Sequence, residues 1–289
     1  MTFSGKFDRV GIVGCGLMGS GIAEVSANAG LDVVVLEANQ TAVDAGRARI
    51  EKSLANAVRR NKTTQETADA ALARIRVTDE AEALEDRQLV VEAVPEIETL
   101  KLETFRTIDK VVSDTDAVLA SNTSSIPIMK LAMATGRPEK VIGIHFFNPV
   151  PVLPLVELVP SLLTAPVVVE QAEAFAHGTL NKHVIRSQDR AGFVVNALLI
   201  PYVLSAIRML ESGFATAEDI DTGMVQGCAH PMGPLALADL IGTDTVMAVA
   251  VSMYEEFKEP LYAPPPMLLR MVEAGLLGRK SGRGFHRYP

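Results

Sequence analysis

Along the first two thirds of the chain, short apolar runs alternate with longer segments in which apolar residues recur every three or four positions. The short runs are rich in valine and isoleucine and predict strands, whereas the longer segments predict helices. Because each strand is apolar along its whole length, we expect a parallel sheet covered by helices on both faces. The predicted strands are 10–13, 33–36, 89–93, 118–120 and 141–144, and the predicted helices are 17–29, 41–61, 64–74 and 96–112.

The pattern changes near residue 188, after which strand-like runs stop and predicted helices follow one another. The longest apolar helix is expected to end at Gly213, since glycine commonly closes a helix. The predicted helices are 191–210, a helix capped by Thr216, a helix from a Thr243 cap to about 257, and a short helix between the prolines at 264–266 and Gly275. The sequence therefore predicts an α/β domain over 1–188 and a smaller all-α domain over 189–289.

Composition narrows the class of protein. The 289 residues are 48% apolar and 21% charged, an ordinary globular mix, and the formal net charge is −8. An acidic total argues against nucleic acid or an anionic membrane as the main partner. Two cysteines cannot form a disulfide framework, and neither a secretory signal nor a convincing membrane span is visible, so we expect a cytoplasmic protein.

A glycine-rich segment, Gly-Cys-Gly-Leu-Met-Gly at 14–19, follows the first predicted strand and opens the first predicted helix. In a dinucleotide-binding turn, the first glycine permits a tight turn, the second admits a pyrophosphate and the third allows close helix packing. Glu37 ends the second predicted strand, where a carboxylate binds ribose hydroxyls and disfavours a 2′-phosphate. We therefore predict a Rossmann-like, doubly wound sheet that binds NAD rather than NADP. The alternative is an ordinary tight turn in another α/β protein.

His145 follows the apolar run 141–144 and so lies where doubly wound folds place their sites. Imidazole can take or give the proton of a secondary alcohol near neutral pH, as hydride transfer requires. Glu157 lies within another apolar run and needs a partner there. If 141–147 and 153–159 are neighbouring extended segments, its carboxylate could meet His145 and hold the ring. The alternative is a core histidine bonded to backbone and a glutamate on an edge strand.

Three further features have both a functional and a structural interpretation. Ser124 belongs to a run of polar residues, 121–125, that could bond substrate or cofactor, or could form a polar turn or helix cap. Asn196 lies in the most apolar helix, where its amide could face a ligand or form a hydrogen bond that links two helices. Ser53 and Arg60 share one face of a basic helix, which could bind a phosphorylated ligand or be an ordinary solvated surface. The basic residues of that helix are Arg47, Arg49, Lys52, Arg59, Arg60 and Lys62.

Together these stretches resemble the L-3-hydroxyacyl-CoA dehydrogenase family over essentially the whole chain. The most specific match is Gly-Ile-His-Phe-Phe-Asn-Pro-Val-Pro at 143–151, which follows Ala-Ser-Asn-Thr-Ser-Ser at 120–125. The other matching stretches are 14–37, Val-Glu-Ala-Val-Pro-Glu at 91–96, 192–196, His-Pro-Met-Gly-Pro at 230–234 and 278–285.

The resemblance implies NAD-dependent interconversion of 3-hydroxyacyl-CoA and 3-ketoacyl-CoA, with 3-hydroxybutanoyl-CoA and acetoacetyl-CoA as the expected pair. It implies that His145 is the catalytic acid/base with Glu157 as its partner, and that Ser124 and Asn196 contact the reacting part of the substrate. The implied NAD contacts are Gly14, Gly16, Leu17, Met18, Gly19, Glu37, Glu96, Lys101, Ser124, Asn148 and Lys280.

Ser53 and Arg60 match positions that touch coenzyme A in the family, although some relatives have lysine at the second position. The resemblance also implies a homodimer formed largely through the helical domain, and closure of that domain over the cofactor. No metal ion is expected.

Two other functions stay open on the residues alone. One is NAD-dependent oxidation of a different hydroxy acid, such as a sugar acid, which would not need the basic helix. The other is a nucleotide-binding protein without activity, against which the intact His145 and Glu157 argue. Activity assayed with and without the CoA moiety separates these alternatives.

Overall fold

A doubly wound sheet forms the first part of the computed structural model, which describes residues 7–288. Its strands are β1 (Arg9–Val13), β2 (Asp32–Leu36), β3 (Ile75–Thr78), β4 (Leu89–Glu92), β5 (Val118–Ser121), β6 (Val141–Phe146), β7 (Leu155–Pro160) and β8 (His183–Arg186). Their order is β3-β2-β1-β4-β5-β6-β7-β8, so the winding reverses beside β1. Ligands of doubly wound sheets bind at such a reversal, beyond the carboxyl ends of the strands. The predicted Rossmann-like architecture is confirmed.

The sheet is mixed rather than parallel throughout. β1 to β6 pair in parallel, but β7 runs antiparallel to β6, and β8 is parallel to β7. The connection 147–154 is too short for a crossover helix and contains three prolines, so the chain turns back on itself. The expectation of a parallel sheet is therefore wrong for the last two strands, whereas 141–147 and 153–159 are neighbours, as predicted.

The helices that accompany the sheet are α1 (Leu17–Asn28), α2 (Gln40–Arg59), α3 (Gln65–Ala73), α4 (Glu98–Val111), α5 (Ile128–Ala132) and α6 (Pro166–Glu173), which a π-helix continues over Ala174–Thr179. The central strand residues Val10, Ile12, Val33 and Val91 are fully buried, as expected for a sheet covered on both faces. The sequence pattern does not predict β3, β8, α5 or α6. The two strands lie at the edges of the sheet and include exposed charged residues, so no apolar run marks them.

The described residues divide into two compact units on either side of the Arg190–Ala191 bond. The second unit is helical, with α7 (Val195–Glu211), α8 (Ala217–Cys228), α9 (Pro234–Ile241), α10 (Thr243–Phe257) and α11 (Pro266–Glu273). Its core is apolar and includes Val203, Leu204, Leu235 and Met253. Between residues 7 and 288, no single helix is long and apolar enough to cross a membrane; α9 and α10, bent by 96°, meet the length and hydropathy criteria only as a pair.

Two of the predicted helix starts need correction. α7 begins at Val195 rather than at 191, because Gly192 and Phe193 have φ angles of 84° and 47°, which no right-handed helix accommodates. Thr243 is the first residue of α10 rather than its cap, and its hydroxyl donates to a backbone carbonyl at 2.9 Å. The predicted cap at Thr216 is confirmed, because its hydroxyl oxygen accepts the backbone N–H three residues on at 3.1 Å.

Candidate active site

The three glycines of the turn between β1 and α1 differ in the space that surrounds each of them. Gly14 has a φ of 92°, and a Cβ there would lie 2.9 Å from the carbonyl oxygen of Ala93. A Cβ on Gly19 would lie 1.8 Å from the carbonyl oxygen of Gly14, so only glycine lets α1 pack this closely. Around Gly16, in contrast, a Cβ would meet no atom within 4 Å. The turn is therefore open at the position where a pyrophosphate approaches the backbone.

The same turn presents hydrogen-bond donors to an anion. Gly16 is the N-cap of α1, and no side chain caps this helix. The N–H groups of its first turn, which begins with Leu17 and Met18, can therefore donate hydrogen bonds to a phosphate. Glu37 follows β2, and its Oε1 accepts the N–H of Cys15 at 2.5 Å, which places the carboxylate beside the turn. These features fit a dinucleotide. No group of three or more metal-ligating side chains occurs between residues 7 and 288.

Replacing Gly19 by alanine should destabilise the protein, whereas replacing Gly16 should mainly weaken NADH binding. The methyl of Gly19→Ala collides with backbone, so we expect the free energy of unfolding to fall by about 2 kcal/mol or more. The methyl of Gly16→Ala meets no protein atom. On the dinucleotide-binding interpretation of the turn, it would occupy the space that a pyrophosphate needs. We expect its NADH Kd to rise about tenfold, with less than about 1 kcal/mol of destabilisation.

Chemical denaturation and fluorescence titration with NADH check this pair of variants. An NADH affinity of Gly16→Ala equal to that of the wild type would contradict the assignment of the turn.

His145 and Glu157 form a buried hydrogen-bonded pair. They are opposite each other in the antiparallel pair β6–β7, so both side chains leave the same face of the sheet. His145 Nδ1 lies 2.7 Å from Glu157 Oε2, and the two side chains are 8% and 0% exposed. The ring of Phe147 packs against the imidazole, with 4.6 Å between the ring centroids. A carboxylate on Nδ1 fixes the tautomer and makes Nε2 the atom that can exchange a proton with a substrate.

The loop after β5 lies at the same edge of the sheet as His145. Asn122 Oδ1 accepts the N–H of Phe146 at 2.9 Å, which ties this loop to the end of β6. Ser124 is half-buried and follows β5 by three residues, and Asn148 is exposed and follows β6 by two. The structure therefore places Ser124 beyond the carboxyl end of β5 and Asn148 beyond the carboxyl end of β6, and these two strands are neighbours in the sheet.

A charge cluster of two buried residues, Glu92 and Lys101, and the more exposed Glu96 supports this loop. Glu96 Oε1 accepts the N–H of Ser124 at 3.1 Å and the N–H and hydroxyl of Ser125 at 3.2 and 2.9 Å. Burial works against ionisation of Glu96, but the charge of Lys101 and the hydroxyl hydrogen bonds outweigh it and lower the pKa of that carboxyl. Lys101 Nζ lies 2.6 Å from Glu92 Oε1 and 3.2 Å from Glu96 Oε2.

Glu92 was not predicted as part of the site. Its signal in the sequence is the same as that of Glu157: a glutamate within an apolar run, Leu-Val-Val-Glu at 89–92, which requires a buried partner.

The basic helix α2 presents its cations to solvent. Ser53 is half-buried near the middle of α2, and Arg60 directly follows its last residue. Arg49 Nη1 donates to the carbonyl oxygen of Cys15, so this helix contacts the glycine-rich turn. The exposed basic residues are Arg47, Arg49, Lys52, Arg59, Arg60 and Lys62. A patch of exposed cations therefore adjoins the turn that fits a dinucleotide.

The second unit carries two of the residues singled out in the sequence. Asn196 is the second residue of α7 and is half-buried rather than buried in a helix interface. Lys280 forms an ion pair with Asp244 in the first turn of α10, with Nζ 2.6 and 2.7 Å from the two carboxylate oxygens. Both side chains thus have access to solvent in this unit.

The glycines of the C-terminal motif 278–285 have a packing role. A Cβ on Gly278 would lie 2.3 Å from the carbonyl oxygen of Asp239, and one on Gly284 would lie 1.9 Å from its carboxylate. Asp239 in turn accepts the N–H groups of Phe285 and His286, each at 2.9 Å. The motif therefore holds the segment that carries Lys280 against α9.

Comparison with known proteins assigns both units to one family. Residues 9–190 match the NAD binding domain of 3-hydroxyacyl-CoA dehydrogenase, and residues 192–288 match the C-terminal domain of the same family. This chain belongs to the 3-hydroxyacyl-CoA dehydrogenase family. The resemblance stated from the sequence is confirmed, as is the assignment of the first unit to NAD binding.

Relatives within the 3-hydroxyacyl-CoA dehydrogenase family are similar over their full length. A 3-hydroxybutyryl-CoA dehydrogenase of Mycobacterium tuberculosis is 60% identical over 285 residues, covering 99% of this chain and 100% of that protein. The crystal structure of M. tuberculosis FadB2 has a TM-score of 0.97 at 60% identity and covers 98% of this chain and 99% of its own. The crystal structure of (S)-3-hydroxybutyryl-CoA dehydrogenase PaaH1 from Ralstonia eutropha has a TM-score of 0.92 at 44% identity. It covers 98% of this chain and 100% of its own.

Proposed function

We propose that this member of the family is an NAD-dependent 3-hydroxybutyryl-CoA dehydrogenase, which interconverts (S)-3-hydroxybutyryl-CoA and acetoacetyl-CoA. The observation that carries the proposal is the buried pair of His145 and Glu157, with 2.7 Å between Nδ1 and Oε2, at the edge of the sheet that also holds the dinucleotide-type turn. Full-length similarity to 3-hydroxybutyryl-CoA dehydrogenases supports this choice of substrate.

His145, held by Glu157, acts as the base in one direction of a reversible reaction and as the acid in the other. In oxidation, His145 Nε2 takes the proton of the 3-hydroxyl group while the bond between C3 and its hydrogen breaks. NAD, when bound, supplies the acceptor of the hydride. Glu157 keeps the proton of the ring on Nδ1 and stabilises the imidazolium that forms. In reduction, the imidazolium returns the proton to the ketone oxygen.

Other residues position the reactants. Ser124 and Asn196 orient the reacting oxygen and the thioester region of the substrate. The proposed dinucleotide contacts are the turn 14–19, Glu37, Glu96, Lys101, Ser124, Asn148 and Lys280. Positioning of this kind contributes much of the rate, because the donor carbon and the acceptor must meet at near-contact distance.

Coenzyme A is proposed to bind along α2, through Ser53 and Arg60. The exposed cations of this helix support the proposal, because the phosphates of coenzyme A are anionic and arginine binds phosphate well. A small hydroxy acid without a nucleotide portion would make no use of them.

Glu37 should set the preference for NADH over NADPH. Glu37→Gln keeps an acceptor for the Cys15 N–H but removes the charge that repels a 2′-phosphate. We expect the ratio of kcat/KM with NADH to that with NADPH to fall about tenfold, equivalent to about 1.4 kcal/mol. Steady-state kinetics with both coenzymes measure the ratio, and Glu51→Gln, on the exposed surface of α2, is the matched control. An unchanged ratio would contradict the role given to Glu37.

Reduction of 3-ketoacyl-CoAs of increasing length, each with NADH and with NADPH, tests the proposed function. We expect acetoacetyl-CoA with NADH to give the highest kcat/KM, and free acetoacetate to react at least about 100-fold more slowly, since binding energy from the CoA portion is lost. Equal rates for acetoacetate and acetoacetyl-CoA would favour a dehydrogenase of another hydroxy acid. No consumption of NADH with any of them would favour a nucleotide-binding protein without activity.

The proposal includes a cytoplasmic homodimer formed through the helical unit. Large apolar side chains exposed on that unit are groups of the kind that a partner covers in an interface. They include Leu198, Phe214, Leu240, Val251 and Leu261. Light scattering after size-exclusion chromatography should give twice the mass of one chain, and a monomer at micromolar concentration would contradict this part.

A further inference from the structure

Lys182 is a buried lysine that the proposed reaction does not use. It is 6% exposed and directly precedes β8. Because β8 is parallel to β7 and β7 is antiparallel to β6, the start of β8 lies at the edge of the sheet where β6 ends. Lys182 therefore lies at the edge that carries the candidate site.

The ammonium group of Lys182 donates to two backbone carbonyls of the connection 147–154. Its Nζ lies 2.6 Å from the carbonyl oxygen of Val150 and 2.7 Å from that of Leu153. This connection joins β6 to β7, the two strands that bring the acid/base pair together. It also contains Asn148, one of the proposed dinucleotide contacts. The lysine thus binds the backbone next to a residue of the site.

The charge of Lys182 has no acid opposite it. Burial alone lowers the pKa of this ammonium group, and no carboxylate between residues 7 and 288 acts against it. A buried charge must be compensated by polar partners, and here the two carbonyl dipoles of the connection fill that role. Because an apolar side chain of similar length would avoid the cost of burying a charge, packing alone does not explain a lysine at this position.

The backbone that carries this ammonium group is itself fixed. The N–H of Lys182 donates to the carbonyl oxygen of Ala176 at 2.9 Å, and its own carbonyl oxygen lies 3.0 Å from Nδ1 of His177. The next residue, His183, donates its N–H to the carbonyl oxygen of Pro154 at 2.7 Å. The π-helix and β8 therefore fix Lys182, so its side chain holds the connection at a defined place.

On another side, the connection packs against α1, the helix that begins at the glycine-rich turn. Val150 is 1% exposed, and a Cβ on Gly21 would lie 2.8 Å from its Cβ, so helix and connection are in close contact. Asn148 lies two residues before Val150 and is exposed. Its position beside the turn therefore depends on how this stretch of backbone is held.

We propose that Lys182 is a positioning residue that sets the place of Asn148 by holding the connection 147–154 against α1. The proposal rests on the proposed function in one respect, the dinucleotide contact of Asn148. Lys182 acts on dinucleotide binding through that contact, so its loss should matter only while Asn148 is present.

A double-mutant cycle between Lys182 and Asn148 tests this dependence. Lys182→Met keeps most of the apolar stem but removes the donors to the connection. By fluorescence titration well below the Tm, we expect Lys182→Met and Asn148→Ala each to raise the Kd of NADH about tenfold. Added to Asn148→Ala, Lys182→Met should raise it by less than about threefold.

Two further variants accompany the cycle. Lys182→Arg keeps a charge and N–H donors, so we expect its Kd of NADH to stay within about threefold of the wild type. Lys110→Met removes an exposed lysine at the end of α4 and is the matched control, with wild-type affinity expected. The Tm of every variant is recorded without ligand.

An equal increase in Kd from Lys182→Met with and without Asn148 would mean that the lysine acts independently of that residue, and would overturn the proposal. A lower Tm with the NADH affinity of the wild type would make the lysine merely structural and overturn it as well. Should Lys182→Met fail to fold, Lys182→Gln, whose shorter side chain keeps N–H donors, takes its place in the same cycle with the same two deciding outcomes.

None of these measurements uses an acyl-CoA. If Asn148→Ala by itself leaves the Kd of NADH unchanged, Lys182 has no dinucleotide contact to position and the proposal is overturned, while reduction of acetoacetyl-CoA by the wild type would still support the proposed function. Failure of the wild type to reduce acetoacetyl-CoA would overturn the proposed function and leave this test intact.

Discussion

His145→Ala is expected to lower kcat for reduction of acetoacetyl-CoA by about 10³-fold, while the Kd of NADH stays within about threefold of the wild type. The loss is large because the variant has no group on β6 that can give a proton to the ketone oxygen as hydride arrives. Binding should persist because the glycine-rich turn and Glu37, which fit the dinucleotide, lie on β1, α1 and β2 and make no contact that depends on the imidazole.

Steady-state kinetics and fluorescence titration with NADH separate the two effects. His183→Ala is the matched control, since that histidine is exposed at the start of the edge strand β8 and should show wild-type values for both. Equal losses of turnover and NADH binding in His145→Ala would mean that the substitution damages the site as a whole, and would refute the acid/base role.

Glu157→Gln should lower kcat by about 10²-fold or more and should change its dependence on pH. The amide is close to the carboxylate in size but has no negative charge, so it no longer stabilises the imidazolium. It can also present its N–H₂ group to Nδ1 and favour the wrong tautomer. Reduction needs the protonated ring, so we expect the activity of the variant to decline at a lower pH than that of the wild type.

Profiles of kcat and kcat/KM against pH in both directions test the pairing. Glu170→Gln, an exposed substitution on α6, is the matched control. A variant at Glu157 that is slower but has the pH profile of the wild type would show that the carboxylate only packs against the ring.

The central strands and the meeting of His145 with Glu157 are predictable from sequence because both follow from local patterns. Apolar runs mark strands that helices cover on both faces. A glutamate inside such a run needs a partner, and a short link rich in proline between 147 and 154 leaves the neighbouring run as the nearest source of one. The structure brings the two side chains together directly across β6 and β7.

The pairing of β8 and the network of Glu92 depend on contacts that are distant in sequence. β8 is a short edge strand whose pairing with β7 has no local apolar signal. Glu92 obeys the same rule as Glu157, but its partner Lys101 comes from α4, and the loop that both support comes from β5. Only the strand order places these groups side by side.

The central claim is that this chain transfers hydride between NAD(H) and C3 of a CoA thioester. The most direct test incubates the purified protein with acetoacetyl-CoA and NADH that carries deuterium at both positions of nicotinamide C4, followed by mass spectrometry of the product. We predict 3-hydroxybutyryl-CoA with one deuterium atom at C3. A hydroxy product without deuterium, or no product while free acetoacetate is reduced, would contradict the claim.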